Sequence, residues 1–167
     1  MPFGSADLWY FAGVLAAAAC FALIEIQIEG PAGWAANLPT WRPRHPQIVR
    51  WAERLFPGRL PTGYHLGILA FIAVVAHLPF AFGLPWSWNA ELRSIAFFLF
   101  FWVAEDFLWF AFNPHFGVRR FRAQYIPWHG RSWWWIAPRD YWIGLAVATF
   151  LYVSSRQEPE IIIAMKP

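Results

Sequence analysis

The chain has 167 residues, enough for one domain, and 59% of them are hydrophobic, 21% aromatic and only 14% charged. A water-soluble domain carries about 25% charged residues, so this composition leaves too little polar surface to cover a soluble fold, and lipid as the solvent removes that difficulty. The net charge of +3 does not make a nucleic-acid partner, because Lys166 is the only Lys among 13 basic residues and most of the Arg lie in loops between apolar segments.

A membrane-crossing helix needs about 20 mostly apolar residues. Segments 8–28, 64–84, 92–112 and a shorter 138–155 meet or approach that length. The sequence therefore predicts an all-α integral membrane four-transmembrane-helix bundle over residues 1–155, followed by a tail over 156–167. The first span has no charge until Glu25. It is too long for the apolar region of a signal peptide and lacks a basic start, so it reads as a retained span. Ala16 to Ala19 supply small side chains for close helix contact. Cys20 is the sole cysteine, which excludes an internal disulfide.

The first loop is rich in Pro, Trp and Arg. Within it Ile48, Val49, Trp51, Ala52, Leu55 and Phe56 alternate with Arg50, Glu53 and Arg54 at near-helical spacing, which predicts a short amphipathic helix at the membrane interface. The second span carries His65 at its start and His77 two residues before Pro79. His77 is expected to hydrogen-bond a neighbouring helix. The second loop, 85–91, has no basic residue. The third span is apolar but contains Arg93, Glu105 and Asp106, and ends in the turn Asn113-Pro114-His115. The third loop holds Arg119, Arg120, Arg122, Arg131 and Arg139 and a Trp-rich stretch. Trp128, Trp133, Trp134, Trp135 and Trp142 read as an interfacial aromatic belt, as do Trp86 and Trp88 at the other boundary. The fourth span opens at Pro138, and Asp140 falls in its first turn, where a negative charge is favourable. Arg42, Arg44, Arg50, Arg54 and Arg59 of the first loop share a side with the third loop if there are four spans. The positive-inside rule then puts both loops in the cytoplasm and both termini outside.

That orientation gathers the ionisable residues into one layer. Glu25 and Glu29 end the first span, Glu105 and Asp106 lie in the same half of the third, and His65, His115 and His129 flank that end of the bundle. A carboxylate inside a membrane costs at least about 2.5–3.5 kcal/mol on insertion scales, so these acids need partners. One reading is a metal centre. Glu25, Glu29, Glu105, His65, His115 and His129 form an oxygen–nitrogen donor set that suits a divalent transition metal such as Zn, Fe or Mn. Glu105 and Asp106 then act as ligand or base. The others are a proton shared between carboxyls and a network in which Arg residues of the third loop neutralise the acids. Glu29 is alternatively placed among lipid headgroups, and His45 in an exposed loop. No nucleophile elbow, phosphate loop or paired cysteine motif occurs. The functional expectations are an enzyme acting on a lipid or other apolar small molecule, or an accessory subunit packing against its own copies or other membrane proteins. A transporter ranks third, because neither an internal repeat nor a broken-helix pair is visible.

Overall fold

Backbone groups in hydrocarbon have no water to bond, so apolar stretches of this length satisfy themselves as helices. The computed structural model bears this out over residues 3–55 and 58–157, the part of the chain it describes. The described residues are mostly helical, at 69%. Its helices are α1 (Ser5–Glu29), α2 (Pro46–Leu55), α3 (Gly63–Ala81), α4 (Trp88–Phe112), the single-turn α5 (Pro127–Gly130) and α6 (Arg139–Ser154). Two-residue strands β1 (Trp133–Trp134) and β2 (Ala137–Pro138) pair antiparallel just before α6. Three helices, α1, α3 and α4, are long and apolar enough to cross a membrane. At 16 residues, α6 is about 24 Å long and falls short of the roughly 30 Å hydrocarbon thickness.

Element ends follow local chemistry. Thr62 caps α3 by accepting from the His65 amide at 3.4 Å, and Ser87 caps α4 by accepting from the Ala90 amide at 3.1 Å. α3 stops three residues earlier than its apolar run predicts, because Pro79 sits in its last turn and Gly83 takes a left-handed φ of 98°.

α4 is the hub, with α1 and α6 packed along it and α3 held more loosely. Val14, Ala18 and Ala22 of α1 and Ala148 of α6 are buried, and so are Ala96 and Phe101 of α4. Ala18, Ala22, Ala96 and Ala148 let the backbones approach closely; of the run Ala16 to Ala19 only Ala18 is buried, and Ala16 is exposed. The outward surface is the reverse of a soluble protein's, with Leu15, Leu23, Phe71, Val74 and Phe150 all more than half exposed. Three long apolar helices with such an outer surface fit a membrane-embedded protein.

At the end away from the Arg-rich loops, Asp7 closes α1 onto α6. It accepts from the Tyr152 hydroxyl and from the Gly4 amide at 2.7 Å, and Arg156 lies 3.2 Å away. Asp7 is 6% exposed, so its charge is neutralised inside the fold and not in solvent. Nearby, His77 bridges α3 to α4 through Glu91 at 3.1 Å and also contacts its own helix at the Ala73 carbonyl, at 2.6 Å. Of the tail, Gln157 accepts from Asn89 at 2.9 Å, and residues 158–167 lie outside the described residues. Phe56, counted among the apolar positions of the first loop, lies outside them as well.

Replacing Asp7 with Ala removes the acceptor of the Tyr152 hydroxyl and one ion-pair partner of Arg156, and is expected to lower the thermal midpoint in detergent by several degrees. Tyr152→Phe should lower it less, because Gly4 and Arg156 still hold Asp7. Equal midpoints for wild type and Asp7→Ala, measured by differential scanning fluorimetry, would remove the clasp from this account.

Candidate functional site

The third loop folds back over the Arg-rich end of α4 and does not simply lie along a membrane surface. Asn113 ends α4. Its side chain donates to the Gly30 carbonyl at 3.1 Å and accepts from the His115 amide at 3.0 Å, which ties the ends of α1 and α4 together. Phe116 and Ile126 then pack on Trp109 and Phe110, and Trp128 stacks on Phe110 at 6.0 Å. Trp128, expected in an interfacial belt, is half-buried in this cluster, whereas Trp134 and Trp135 are exposed. The aromatic cap carries α5 inward, and His129 on it becomes 1% exposed.

The first loop closes the same end from the other side. Gly30 and Gly33 are left-handed, and so are Trp34 and Ala35, at φ 47° and 49°. Two consecutive non-glycine residues in that region are costly and persist only when surroundings hold them. Here Glu29 accepts from the Ala35 amide, Arg42 donates to the Ala35 carbonyl at 2.5 Å, and the Trp34 indole donates to the Leu60 carbonyl at 3.0 Å. Trp34 is thereby laid flat on His65, ring to ring at 4.0 Å. A side chain at Gly33 has no room, since a Cβ there would stand 2.8 Å from Trp128 and 3.0 Å from Trp109.

Between these two covers and helices α1, α3, α4 and α6 lies a cavity of about 480 Å³. Glu25, Glu29, Glu105, Asp106, His65, His129, Arg59 and Asp140 all line it. The two acids of α1 and the two of α4 therefore do reach one centre. Glu25 and Glu105 meet there, their carboxyl groups side by side within hydrogen-bonding reach. The Tyr64 hydroxyl donates to Glu25 Oε1 at 2.8 Å. Asp106 approaches from the other edge. It accepts from the Tyr141 hydroxyl at 2.5 Å, and His129 Nε2 stands 3.1 Å from its Oδ2, out of line for a well-formed hydrogen bond. His65 holds the Thr62 hydroxyl with Nδ1 at 2.8 Å and turns Nε2 toward Glu29 at 3.9 Å.

The arginine partners differ from those expected. Among the described residues, no third-loop Arg forms a salt bridge to Glu25, Glu29, Glu105 or Asp106. Arg139 pairs with its neighbour Asp140 at 3.0 Å, and the first-loop Arg59 also binds Asp140. Asp140 is thus an ion-pair anchor as well as a first-turn acid. Glu29, for which headgroups were one reading, is 7% exposed at its side chain and turned inward. His115 is exposed and lies off the cavity wall.

Four buried polar atoms of residues that line this cavity have no partner among the described residues: Glu105 Oε1, His129 Nδ1, and the indole nitrogens of Trp102 and Trp109. Buried polar groups are nearly always paired, so such a concentration around one space marks a place where something else supplies the bonds. Glu105 itself is 2% exposed. Among the described residues, no group of three or more His, Cys, Asp or Glu side chains is arranged to hold a metal ion. Sequence reading did not find Tyr141, Tyr64, Trp34 or Gly33, since a lone Tyr, Trp or Gly carries no spacing signal. Comparison with family models, curated proteins and solved structures gives no match.

Gly33→Ala is expected to destabilise the fold by about 1–3 kcal/mol, through overpacking against Trp128 and backbone strain. The thermal midpoint in detergent measures it, and Gly30→Ala, with open space around its Cβ, isolates the strain contribution.

Proposed function

We propose that the chain is a multi-pass membrane enzyme that crosses the bilayer four times and works on a lipid or other apolar substrate at a carboxylate–histidine centre on the cytoplasmic side. The single observation that carries this reading is Glu105. Its carboxyl is buried on the hub helix, set against Glu25 on a cavity wall, with one oxygen left without a partner. Two adjacent buried carboxyls to which, among the described residues, no Arg or Lys is bridged need a positive charge between them, and a shared proton is the simplest.

Such a pair can take a proton from a substrate and return it, which is general acid–base chemistry. Glu105, with its open oxygen, is the group placed to touch substrate. Asp106 is the second acid of the centre. Its contacts with Tyr141 and His129 orient the imidazole, whose ring nitrogens are the nearby donor and acceptor. Glu25, held by Tyr64, sets the position of Glu105. Trp34 and the aromatic cap exclude water from the end that faces the cytoplasm.

The topology rests on charge and length. α6 crosses as a short fourth span, helped by the hairpin before it. The Arg-rich loops stay in the cytoplasm and both termini lie outside. α2 lies in the inner interface, since Ile48, Trp51 and Leu55 are exposed on one of its faces and Arg50 and Arg54 accompany them.

A metal-dependent version is the second reading, favoured by Glu105 Oε1 and His129 Nδ1, which have no partner among the described residues. They are donors of the kind Zn, Fe or Mn takes, with Glu25, Glu29 and His65 on the same wall. Such an ion would supply a Lewis acid or an activated water. An accessory-subunit role accounts for Asp106 and Asp140, which have ion-pair partners, but leaves the Glu25–Glu105 pair without a purpose.

Three measurements test this. Lipid extracts from cells producing wild type and Glu105→Gln at equal membrane levels should differ in at least one lipid species by mass spectrometry, and identical profiles would overturn the enzyme reading. A hydrophobic carbodiimide, which activates protonated carboxyl groups, should modify Glu25 or Glu105 in wild type and be reduced severalfold in Glu105→Gln. Elemental analysis decides the metal: about one Zn, Fe or Mn per chain in wild type, lost in Glu105→Gln, selects the second reading over the proton. For topology, single cysteines at Arg44, Ser87 and Gln157 in a Cys20→Ser background should label with Ser87 and Gln157 on one side of the membrane and Arg44 on the other. Labelling of Gln157 from the Arg44 side removes the fourth crossing.

A further inference from the structure

The cavity continues past its acidic end. Its far walls are Ile68 and Leu69 of α3, Phe98, Leu99 and Val103 of α4, and Gly144 of α6. Phe98 lies seven residues before Glu105, about 10 Å further along α4. The space is therefore a slot with a polar end and an apolar end, not a closed polar pocket. α3 and α6 lie on either side of it. Each packs on α4, but the two make no substantial interface with each other. Leu69, on the rim, is 38% exposed. Opposite, Gly144 offers bare backbone, and a Cβ there would stand 2.9 Å from Val103 Cγ2.

The charge at the polar end is one-sided. Glu25, Glu29, Glu105, Asp106 and Asp140 face a single Arg, Arg59, which binds Asp140. An anionic head placed beside Glu25 and Glu105 meets like charge in a desolvated site. A neutral or cationic hydrogen-bonding head is matched by the Glu105 carboxyl and the His129 imidazole of the cavity lining, whose Oε1 and Nδ1 have no partner among the described residues. The bilayer core is as apolar as the slot, so a hydrocarbon chain gains little by moving between them, and recognition falls to the head.

We propose that the slot between α3 and α6 admits the hydrocarbon chain of an amphiphile sideways from the bilayer and delivers a neutral or cationic head to Glu25 and Glu105. This rests on the enzyme reading and names its substrate class. The volume lies within the roughly 300–1,000 Å³ of small-molecule sites.

The test uses full-length protein in detergent–lipid micelles with three photoreactive diazirine probes. They share one hexadecyl chain and differ in head: an alcohol, an amine and a carboxylate. Mass spectrometry maps the adducts. The expected result is alcohol or amine label on Leu69, Phe98, Leu99 or Val103, exceeding the carboxylate label by about tenfold, the factor that 1.4 kcal/mol of like-charge discrimination gives. Gly144→Leu and Leu69→Trp block the slot from opposite walls and should each abolish that label; if one does not fold, the other decides. Label confined to the outward-facing Phe71, Val74 and Phe150, label that survives a folded blocking variant, or equal use of the carboxylate overturns the proposal. The Glu105-dependent lipid difference, followed in parallel, separates the two failures. If it persists while the slot stays unlabelled, the access route is wrong and the enzyme reading stands. If it vanishes while the slot labels, the chain binds without chemistry.

Discussion

Glu105 constrains the rest of the molecule. It sits on the most contacted helix, inside an otherwise apolar sequence of Phe, Leu and Trp, and is almost wholly buried. A carboxyl at such a position is tolerable only if protein, not hydrocarbon, surrounds it. That requirement accounts for the placement of Glu25 on α1, for the Tyr64 hydroxyl behind it, and for two loops folded over one end of the bundle. The opposite end handles its acid differently. Asp7 is also buried, but it has a tyrosine, an arginine and a backbone amide as partners. The contrast between an acid with three partners and one with an unpartnered oxygen, on a single scaffold, is the basis for proposing a reactive centre at Glu105 and only a clasp at Asp7.

The loops invest backbone strain to finish that centre. Trp34 and Ala35 hold left-handed conformations that a relaxed loop avoids, and Gly33 is wedged between Trp128 and Trp109. Strain of this kind persists when packing over-determines it, and it concentrates at functional sites. Its effect here is to lay an indole across His65 and to bring the first loop against the aromatic cap of the third. The two loops thereby form one lid, although they are distant in sequence.

The side walls show the opposite economy. α1 and α6 are drawn close to α4 by alanines, while α3 stands off. A loosely packed helix beside a polar centre leaves a gap that a soluble protein would fill with side chains. In lipid, hydrocarbon chains can fill it instead, so the absence of a tight α3–α6 interface costs little. Gly144 belongs to the close-packed side, since a Cβ there would stand 2.9 Å from Val103 Cγ2 of α4.

The amino-acid sequence by itself determined depth. Runs of apolar residues set where the helices lie along the bundle, and chain direction then put Glu25, Glu29, Glu105, Asp106, His65 and His129 at one level, as the structure shows. The amphipathic pattern of 46–55 and the stacking of small residues on α1 were legible for the same reason, because period and composition are local properties. Tertiary structure alone decided rotation and closure. Asp106 and Glu105 are adjacent in sequence yet reach the cavity from different edges, with different partners. His115 and His129 look alike in sequence, but only His129 is carried inward, by the packing of Phe116, Ile126 and Trp128. Arg59, not a third-loop arginine, finds Asp140. Helical pattern gives the height of a side chain on its helix. Which way the helix is turned, and which loop folds over it, depends on contacts between residues far apart in the chain, and no local spacing encodes those.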